Sequence, residues 1–431
     1  MRRRSIKGLD GEFLKGINIH AGALREFPIE IIEFLRRTPI DWVRVHPLPS
    51  RKIRDKSRSG ISYLDAIGKL AQAGFNLVVP IDVGLKENVG AITAANMRKF
   101  VDDSYSESFK AVKQIETRIN GFKRNIIYGV ENELDTKEWI LQSLPTVGWR
   151  ESSLAWLDLS VNKELKYKRL RYIFEGIKEA SPDSLTMINF EADDPSEDGS
   201  LAMSFIIAAQ AVLSKLGIFE KNAQDWINNF RLDISEALSR LNQIDIVGLD
   251  SYPNYFTKFP PKGSDIGPKV NEIAHLTHKP IINSEFGYTT SGRRLKPSDV
   301  FPNDKKKEIV GGRRNEEKEI PSPEELQRHF FDNALASIEN SSSQGTFPWV
   351  LLIDPIKRPK PVEEIGFRLS KLSYNRALDP VPALEHYTAW LDLMSSRELG
   401  RLIEKKIWNQ KQRDDAAHGQ ELNKEEDYFH K

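Results

Sequence analysis

Short apolar runs alternate along the chain with longer segments in which apolar residues recur every three or four positions. The runs have the length of buried strands, and the longer segments have the period of amphipathic helices. The predicted strands are residues 13–20, 42–46, 75–81, 125–130, 185–190, 244–249, 280–284 and 346–353. The helices predicted between them include residues 28–37, 63–73, 96–119, 165–180 and 324–339.

Two helix boundaries carry local signals of their own. The second predicted helix ends just before Gly74, which can adopt the left-handed conformation that closes a helix. The last one begins with Ser322 as an N-cap, Pro323 at the first helical position and Glu324 in the first turn. Both signals support an alternation of strands and helices.

Eight strand–helix units predict an α/β fold of the (β/α)8 (TIM) barrel type. The alternative, a doubly wound open sheet, more often contains about five or six strands. No Gly-x-Gly-x-x-Gly motif follows the first predicted strand, which removes the usual dinucleotide-binding interpretation.

Three segments exceed a minimal barrel. Residues 193–240, after the fifth strand, are long enough for an inserted pair of helices. Residues 291–321, after the seventh strand, mix Lys and Arg clusters with Pro, Asp and Glu, which predicts an exposed loop that covers part of the cleft. From about residue 396 the chain is highly charged and helix-prone. We therefore predict a catalytic barrel over 1–395 and a charged helical tail over 396–431.

The composition of the chain argues against several classes of function. The 431 residues are 39% hydrophobic and 29% charged, and 63 Lys and Arg against 62 Asp and Glu leave a net charge of +1. A chain with balanced charges has no overall positive potential that would attract the phosphate backbone of a nucleic acid. The chain contains no cysteine, which excludes disulfides, thiol catalysis and thiolate zinc sites.

Membrane and export signals are weak in this sequence. Its longest apolar stretch, 201–219, is interrupted by Ser204, Gln210, Ser214 and Lys215, whereas a membrane span needs about 20 mostly apolar residues. The basic N-terminus is not followed by the apolar core of a signal peptide. We therefore expect a cytoplasmic protein with no membrane partner.

Polar residues cluster where the predicted strands end, and catalytic residues of (β/α)8 barrels lie at the C-terminal ends of strands. The strand ends carry Asn18, His20, Arg44, His46, Asp82, Asn132, Glu133, Asn189, Asp250, Tyr252, Glu285 and Trp349. Glu133 and Glu285 stand out because each follows an apolar strand directly. No third histidine accompanies His20 and His46 at a metal-binding spacing, so we predict no metal site.

Several of these segments together resemble the retaining β-glycosidases of glycoside hydrolase clan A, which include cellulases and β-mannanases. The resemblance spans roughly residues 13 to 380. The matching segments are Val43-Arg44-Val45, Asn132-Glu133, the eight residues from Asp245 to Tyr252, Ser284-Glu285-Phe286-Gly287 and Gly345 to Trp349. Each segment alone is short, and their joint order along the chain carries the resemblance.

The resemblance implies a role for each matching residue. Glu285 resembles the nucleophile and Glu133 the general acid/base, while Asn132 resembles the amide that holds the sugar 2-hydroxyl. Arg44 resembles the cation beside the nucleophile, and Tyr252 the phenol that hydrogen-bonds it. Trp349 resembles the floor of the subsite next to the cleaved bond.

Asn18, His46 and Asp82 complete the predicted substrate-binding set, and the reaction requires no cofactor. The sequence departs from the pattern of the clan at Asp82, where a histidine is often found, and around Glu133, which Glu131 and Leu134 flank. These departures concern the family and the substrate more than the reaction.

The chemistry agrees with the two carboxyl groups. Glycoside cleavage needs one protonated and one ionised carboxyl, and a charged Glu285 would raise the pKa of a nearby Glu133 by repulsion. We therefore predict a retaining glycoside hydrolase that cleaves β-linked poly- or oligosaccharides of the glucan or mannan type by double displacement. A barrel that binds carbohydrate without cleaving it and a transglycosidase remain the alternatives.

Overall fold

In the computed structural model, the described residues are 6, 12–46, 48, 50–83, 94–122, 125–130, 163–191, 234–251, 263–288, 322–351, 369–372, 377–397, 404 and 408. Most of the predicted insertion at 193–240, the loop at 291–321 and nearly all of the tail lie outside them. Those three predictions therefore stay predictions.

Eight parallel strands form a closed barrel in which every strand pairs with its neighbours in sequence order. The strands are β1 (Leu14–Ile19), β2 (Trp42–Val45), β3 (Asn76–Ile81), β4 (Ile126–Val130), β5 (Leu185–Glu191), β6 (Ile246–Ser251), β7 (Ile281–Phe286) and β8 (Ser343–Pro348). The first and last strands pair through Leu14 with Gly345, which closes the ring. This confirms the predicted (β/α)8 fold.

Eight of the described helices lie between these strands in sequence. They are α1 (Ala21–Glu26), α2 (Pro28–Leu35), α3 (Tyr63–Ala73), α4 (Ala94–Ile119), α5 (Lys163–Ala180), α6 (Ile234–Arg240), α7 (Ile266–Thr277) and α8 (Pro323–Glu339). Both predicted helix boundaries are confirmed. Gly74 closes α3 in the left-handed conformation, and Ser322 begins α8 by accepting from the Glu325 backbone.

The strand ends differ most from the prediction at β6, β7 and β8. Strand β6 runs from Ile246 to Ser251, later at both ends than the predicted 244–249, so Asp250 lies within it. Strand β7 continues to Phe286, so Glu285 lies within the strand and not after it. Strand β8 begins at Ser343 and ends at Pro348, earlier at both ends than the predicted 346–353. A search for apolar runs misses the polar start of β8, and a proline, which has no backbone N–H, does not sustain a strand ladder.

Short elements follow the barrel along the chain. Strands β9 (Ser370–Leu372) and β10 (Leu378–Pro380) form an antiparallel pair, and residues 382–397 are helical. The chain divides into two compact units, Met1–His386 and Tyr387–Lys431. None of the helices in the described ranges is both long enough and apolar enough to cross a bilayer.

The lower part of the barrel interior is filled by apolar side chains from all eight strands. This layer consists of Ile6, Leu14, Trp42, Val78, Ile127, Met187, Ile246, Ile282 and Phe347. Gly16 on β1 faces the ring of Phe347 so closely that an added methyl group would overlap it. The layer forms a dry floor beneath the C-terminal mouth.

Adding that methyl group tests the packing of the floor. We expect Gly16→Ala to lower the free energy of unfolding by about 1–3 kcal/mol, because the Phe347 ring must move in a closely packed core. Denaturant unfolding gives the value.

The matched control repeats the change in a Phe347→Leu background, where the overlapping ring atoms are absent. There, Gly16→Ala should cost less than in the wild type. Equal costs in both backgrounds would show that the glycine is not required by Phe347.

Candidate active site

A β-bulge in β7 turns two consecutive side chains toward the barrel interior. Leu249 of β6 lies opposite Asn283, but the next residue, Asp250, lies opposite Glu285, so that Ser284 is extra. In a regular strand neighbouring side chains point to opposite faces, and a bulge breaks that alternation. Ser284 and Glu285 thus both reach interior partners, on β6 and on β2 respectively.

Glu285 forms a buried ion pair with Arg44. The Nη1 atom of Arg44 lies 2.5 Å from the Oε1 atom of Glu285, and both side chains are almost completely excluded from solvent. The same Nη1 atom donates to Oδ1 of Asn18 at 2.7 Å. Removing either charged partner would leave the other buried and uncompensated, which is costly.

Asn18 connects this ion pair to the barrel wall. Its Nδ2 atom donates to the carbonyl oxygens of Ser284 at 2.8 Å and Phe347 at 2.7 Å, and more weakly to that of Pro348 at 3.3 Å. The side chain is fully buried, so its amide ties β1 to β7 and β8. Asn18 therefore fixes Arg44 relative to the strand that carries Glu285.

A second carboxyl group, Asp250 of β6, lies beside the first and is fully buried. Its oxygens accept from Ser284 Oγ at 2.7 Å and from Asn189 Nδ2 at 2.5 Å. Burial, followed by repulsion from Glu285, raises the pKa of Asp250 well above its ordinary value, against the opposing effects of Arg44, Ser284 and Asn189. Gly248 leaves room here, since a methyl group on it would lie 2.7 Å from Ser284 Oγ.

Three rings form a half-buried row over the neighbouring strand ends of β8, β1 and β2. The His20 and His46 rings stack with centroids 5.5 Å apart, and the His46 and Trp349 rings meet at 5.1 Å with a tilt of 56°. All three side chains keep some exposure. They therefore offer a partly aromatic surface beside the buried polar layer.

The predicted site residues fall into three groups. Asn18, Arg44 and Glu285 come together in the buried layer, while His46, Trp349 and Asp82 lie half-buried at strand ends. Asn132, Glu133 and Tyr252 lie outside the described residues. Asn18 and Arg44 are fully buried, and their described contacts are with each other, with Glu285 and with carbonyl groups of β7 and β8.

The sequence analysis noted Asn189 and Asp250 as strand-end residues and Ser284 as part of a matching segment, but it gave none of them a role. A signal was available, because side chains two positions apart in a strand point to the same face. Asn189 and Ser284 follow the interior residues Met187 and Ile282 by two positions, and Asp250 follows the interior Ile246 by four. Within the described ranges, no three His, Asp or Glu side chains are grouped as ligands for a metal ion.

The sequence matches no protein-family model and no curated protein. Solved structures share its fold. A β-glucosidase from Thermotoga maritima aligns over 92% of this chain and 99% of its own, with 12% identity and a TM-score of 0.52. The virulence factor SghA from Agrobacterium tumefaciens aligns over 88% and 97%, with 11% identity and a TM-score of 0.52.

The exo-β-1,4-mannosidase Op5Man5 from Opitutaceae bacterium strain TAV5 aligns over 92% of this chain, with 11% identity and a TM-score of 0.51. This chain spans only 63% of the mannosidase. At such identities the likeness shows the fold, an eight-stranded barrel surrounded by helices.

The buried ion pair gives a prediction that does not depend on any reaction. Arg44→Met should lower the free energy of unfolding by about 3–5 kcal/mol, because the Glu285 carboxylate would stay buried without its cation. Chemical denaturation at neutral pH measures the change.

Adding Glu285→Gln to Arg44→Met removes the unpaired charge and should recover part of the lost stability. If the double variant were less stable than Arg44→Met alone, the uncompensated charge would not be the cause of the loss.

Proposed function

We propose that this protein is a retaining β-glycosidase of the clan A type, and that Glu285 is its nucleophile. The observation that carries the proposal is the position of Glu285 at the C-terminal end of β7, held by Arg44 above a dry apolar floor. A (β/α)8 barrel has its active site at this end. The shared fold of the β-glucosidase and the mannosidase agrees with this proposal.

The described contacts suit a nucleophilic carboxylate. Arg44 stabilises the negative charge of Glu285 and, through Asn18, holds it at a fixed place relative to β1, β7 and β8. In double displacement the carboxylate attacks the anomeric carbon and forms a glycosyl ester, which water then hydrolyses. Arg44 and Asn18 are assigned to the positioning of the carboxylate.

Glu133 is the proposed general acid/base. It follows Val130, the last residue of β4, by three positions, and β4 is separated from β7 by β5 and β6 in the ring. Two carboxyl groups about 5–5.5 Å apart give retention of configuration. Asn132 and Tyr252 are assigned to the sugar 2-hydroxyl and to Glu285 respectively.

The proposed substrate is a β-linked poly- or oligosaccharide of the glucan or mannan type. Trp349 and His46 present a half-buried aromatic surface close to β7, and apolar sugar faces pack on such surfaces. Asp82, half-buried at the end of β3, supplies a carboxylate for sugar hydroxyls. Two proteins that share the fold, a β-glucosidase and an exo-β-1,4-mannosidase, support the same substrate class.

The direct test is hydrolysis of a panel of aryl β-glycosides and β-glucans or β-mannans, with the first anomer followed by NMR. We expect a β-anomer as the first product, because two inversions give retention. An α-anomer would exclude the retaining mechanism. Binding without turnover would favour a carbohydrate-binding barrel, and net transfer to added sugar would favour a transglycosidase.

The roles of Glu133 and Glu285 can be distinguished by how strongly the cleavage rate of each variant depends on the leaving group of the substrate. Glu133→Ala should slow cleavage of substrates with poor leaving groups by about 10²–10⁴-fold, since the leaving oxygen needs a proton. Aryl glycosides with acidic phenols should lose far less in the first step, because such phenols depart unprotonated. Glu285→Ala should abolish turnover of every substrate.

Azide provides the matched control for these roles. Added to Glu133→Ala, it should attack the glycosyl-enzyme and give a β-glycosyl azide. Added to Glu285→Ala, it should attack the substrate directly and give the α-azide. If the two azides had the opposite configurations, Glu133 would be the nucleophile and Glu285 the acid/base. Full activity of both variants would exclude the glycosidase function.

A further inference from the structure

Asp250 is a buried carboxyl group that takes no direct part in double displacement by Glu285 and Glu133. It lies opposite Glu285 across the β6–β7 register, and no part of it is exposed. The charged described side chains that act on it are Glu285 of β7 and Arg44 of β2. Its polar contacts are Asn189 of β5 and Ser284 of β7.

The charges of this cluster do not balance if both carboxyl groups are ionised. Among the described residues, Arg44 brings one positive charge, whereas Glu285 and Asp250 together would bring two negative charges into a buried site. Like charges on neighbouring buried carboxyls oppose each other's ionisation, and the pair then retains a proton. One of the two groups should therefore be neutral in the resting protein.

The hydrogen bonds indicate which group holds the proton. Arg44 donates directly to Glu285, and a guanidinium has only donors, so Glu285 is suited to the charge. Asp250 instead meets a neutral amide and a neutral hydroxyl. Because a hydroxyl both donates and accepts, the 2.7 Å contact with Ser284 Oγ also suits a protonated Asp250 that donates to it.

We propose that Asp250 is a positioning residue that carries a proton in the resting enzyme, so that the charge of Arg44 is paired with Glu285, and that it holds Ser284 in the β7 bulge. The bulge is the feature that turns Glu285 inward, and Ser284 is its extra residue. A neutral Asp250 keeps a second negative charge away from the nucleophile. The catalytic part of this inference rests on the proposed function, whereas the protonation of Asp250 does not.

Carbon-13 NMR of protein labelled at its aspartate carboxyl carbons tests the protonation directly. The Asp250 signal is assigned by its loss in Asp250→Asn. We expect it at the position of a protonated carboxyl group at neutral pH, in agreement with the raised pKa of this group. A signal at the ionised position under these conditions would overturn the proposal.

Glu285→Gln tests the cause of the protonation. Without the charge of Glu285, Asp250 becomes the single described carboxylate that acts with Arg44, so its pKa should fall and its signal should move toward the ionised position at a lower pH. An unchanged titration of Asp250 in this variant would show that the two carboxyl groups do not share a proton, and would overturn the proposal.

Stability gives a second readout that needs no catalysis. An aspartate that is protonated when folded but ionised when unfolded must take up a proton on folding at neutral pH. The free energy of unfolding of the wild type should therefore decline relative to Asp250→Asn as pH rises above about 4, the ordinary aspartate value. A relative increase over this range would mean that the folded protein holds Asp250 ionised.

Kinetics tests the positioning role once a substrate has been found. Asp250→Asn keeps one donor and one acceptor, so its kcat should stay within about tenfold of the wild type. Asp250→Leu has neither and should lose about a hundredfold or more in kcat, with a smaller change in KM, because the nucleophile is misplaced. Equal kcat losses in both variants would overturn the positioning role.

The outcomes separate the two proposals. If no glycoside is cleaved while the NMR signal and the stability trend behave as expected, the proposed function fails and the protonated Asp250 stands. If glycosides are cleaved with retention but Asp250 is ionised at neutral pH, the proposed function stands and this inference fails.

Discussion

The buried ion pair between Arg44 and Glu285 is the interaction on which the rest of the mouth depends. Two opposite charges in a dry site are stable only when they stay together and their geometry is fixed by further hydrogen bonds. Asn18 supplies that fixation by accepting from Arg44 while donating to carbonyl groups of β7 and β8. The hydrogen bonds of Asn18 thus both join β1 to β7 and β8 and hold the charged pair in place.

The barrel interior changes character from its floor to its mouth. Large apolar side chains fill the floor, and a layer of buried polar groups lies on top of it, below the half-buried rings of His46 and Trp349. Gly16 and Gly248 permit this layering, because a side chain at either position would meet Phe347 or Ser284. A low-dielectric floor strengthens every electrostatic interaction above it.

Periodicity predicted the eight strands and the parallel order because each strand is buried on both faces and therefore reads as an apolar run. The same approach was wrong at both ends of β8, where Ser343 and Gln344 are polar yet paired. Glu285 was identified because it directly follows the predicted strand 280–284. Asp250, in a similar position on β6, received no role, since nothing in its local sequence shows that Glu285 lies opposite.

The sequence by itself determined the fold class, the helix caps at Gly74 and Ser322, and the strand ends that carry polar groups. These follow from local composition and from a period that a single segment displays. The tertiary structure alone decided the bulge at Ser284, the contact between Asn18 and the carbonyl of Ser284, and the pairing of Asp250 with Glu285. Such features depend on the register between strands, and Asn18 and Ser284 are 266 residues apart in the chain. A shift of one residue would turn their side chains to opposite faces, and no local pattern records it.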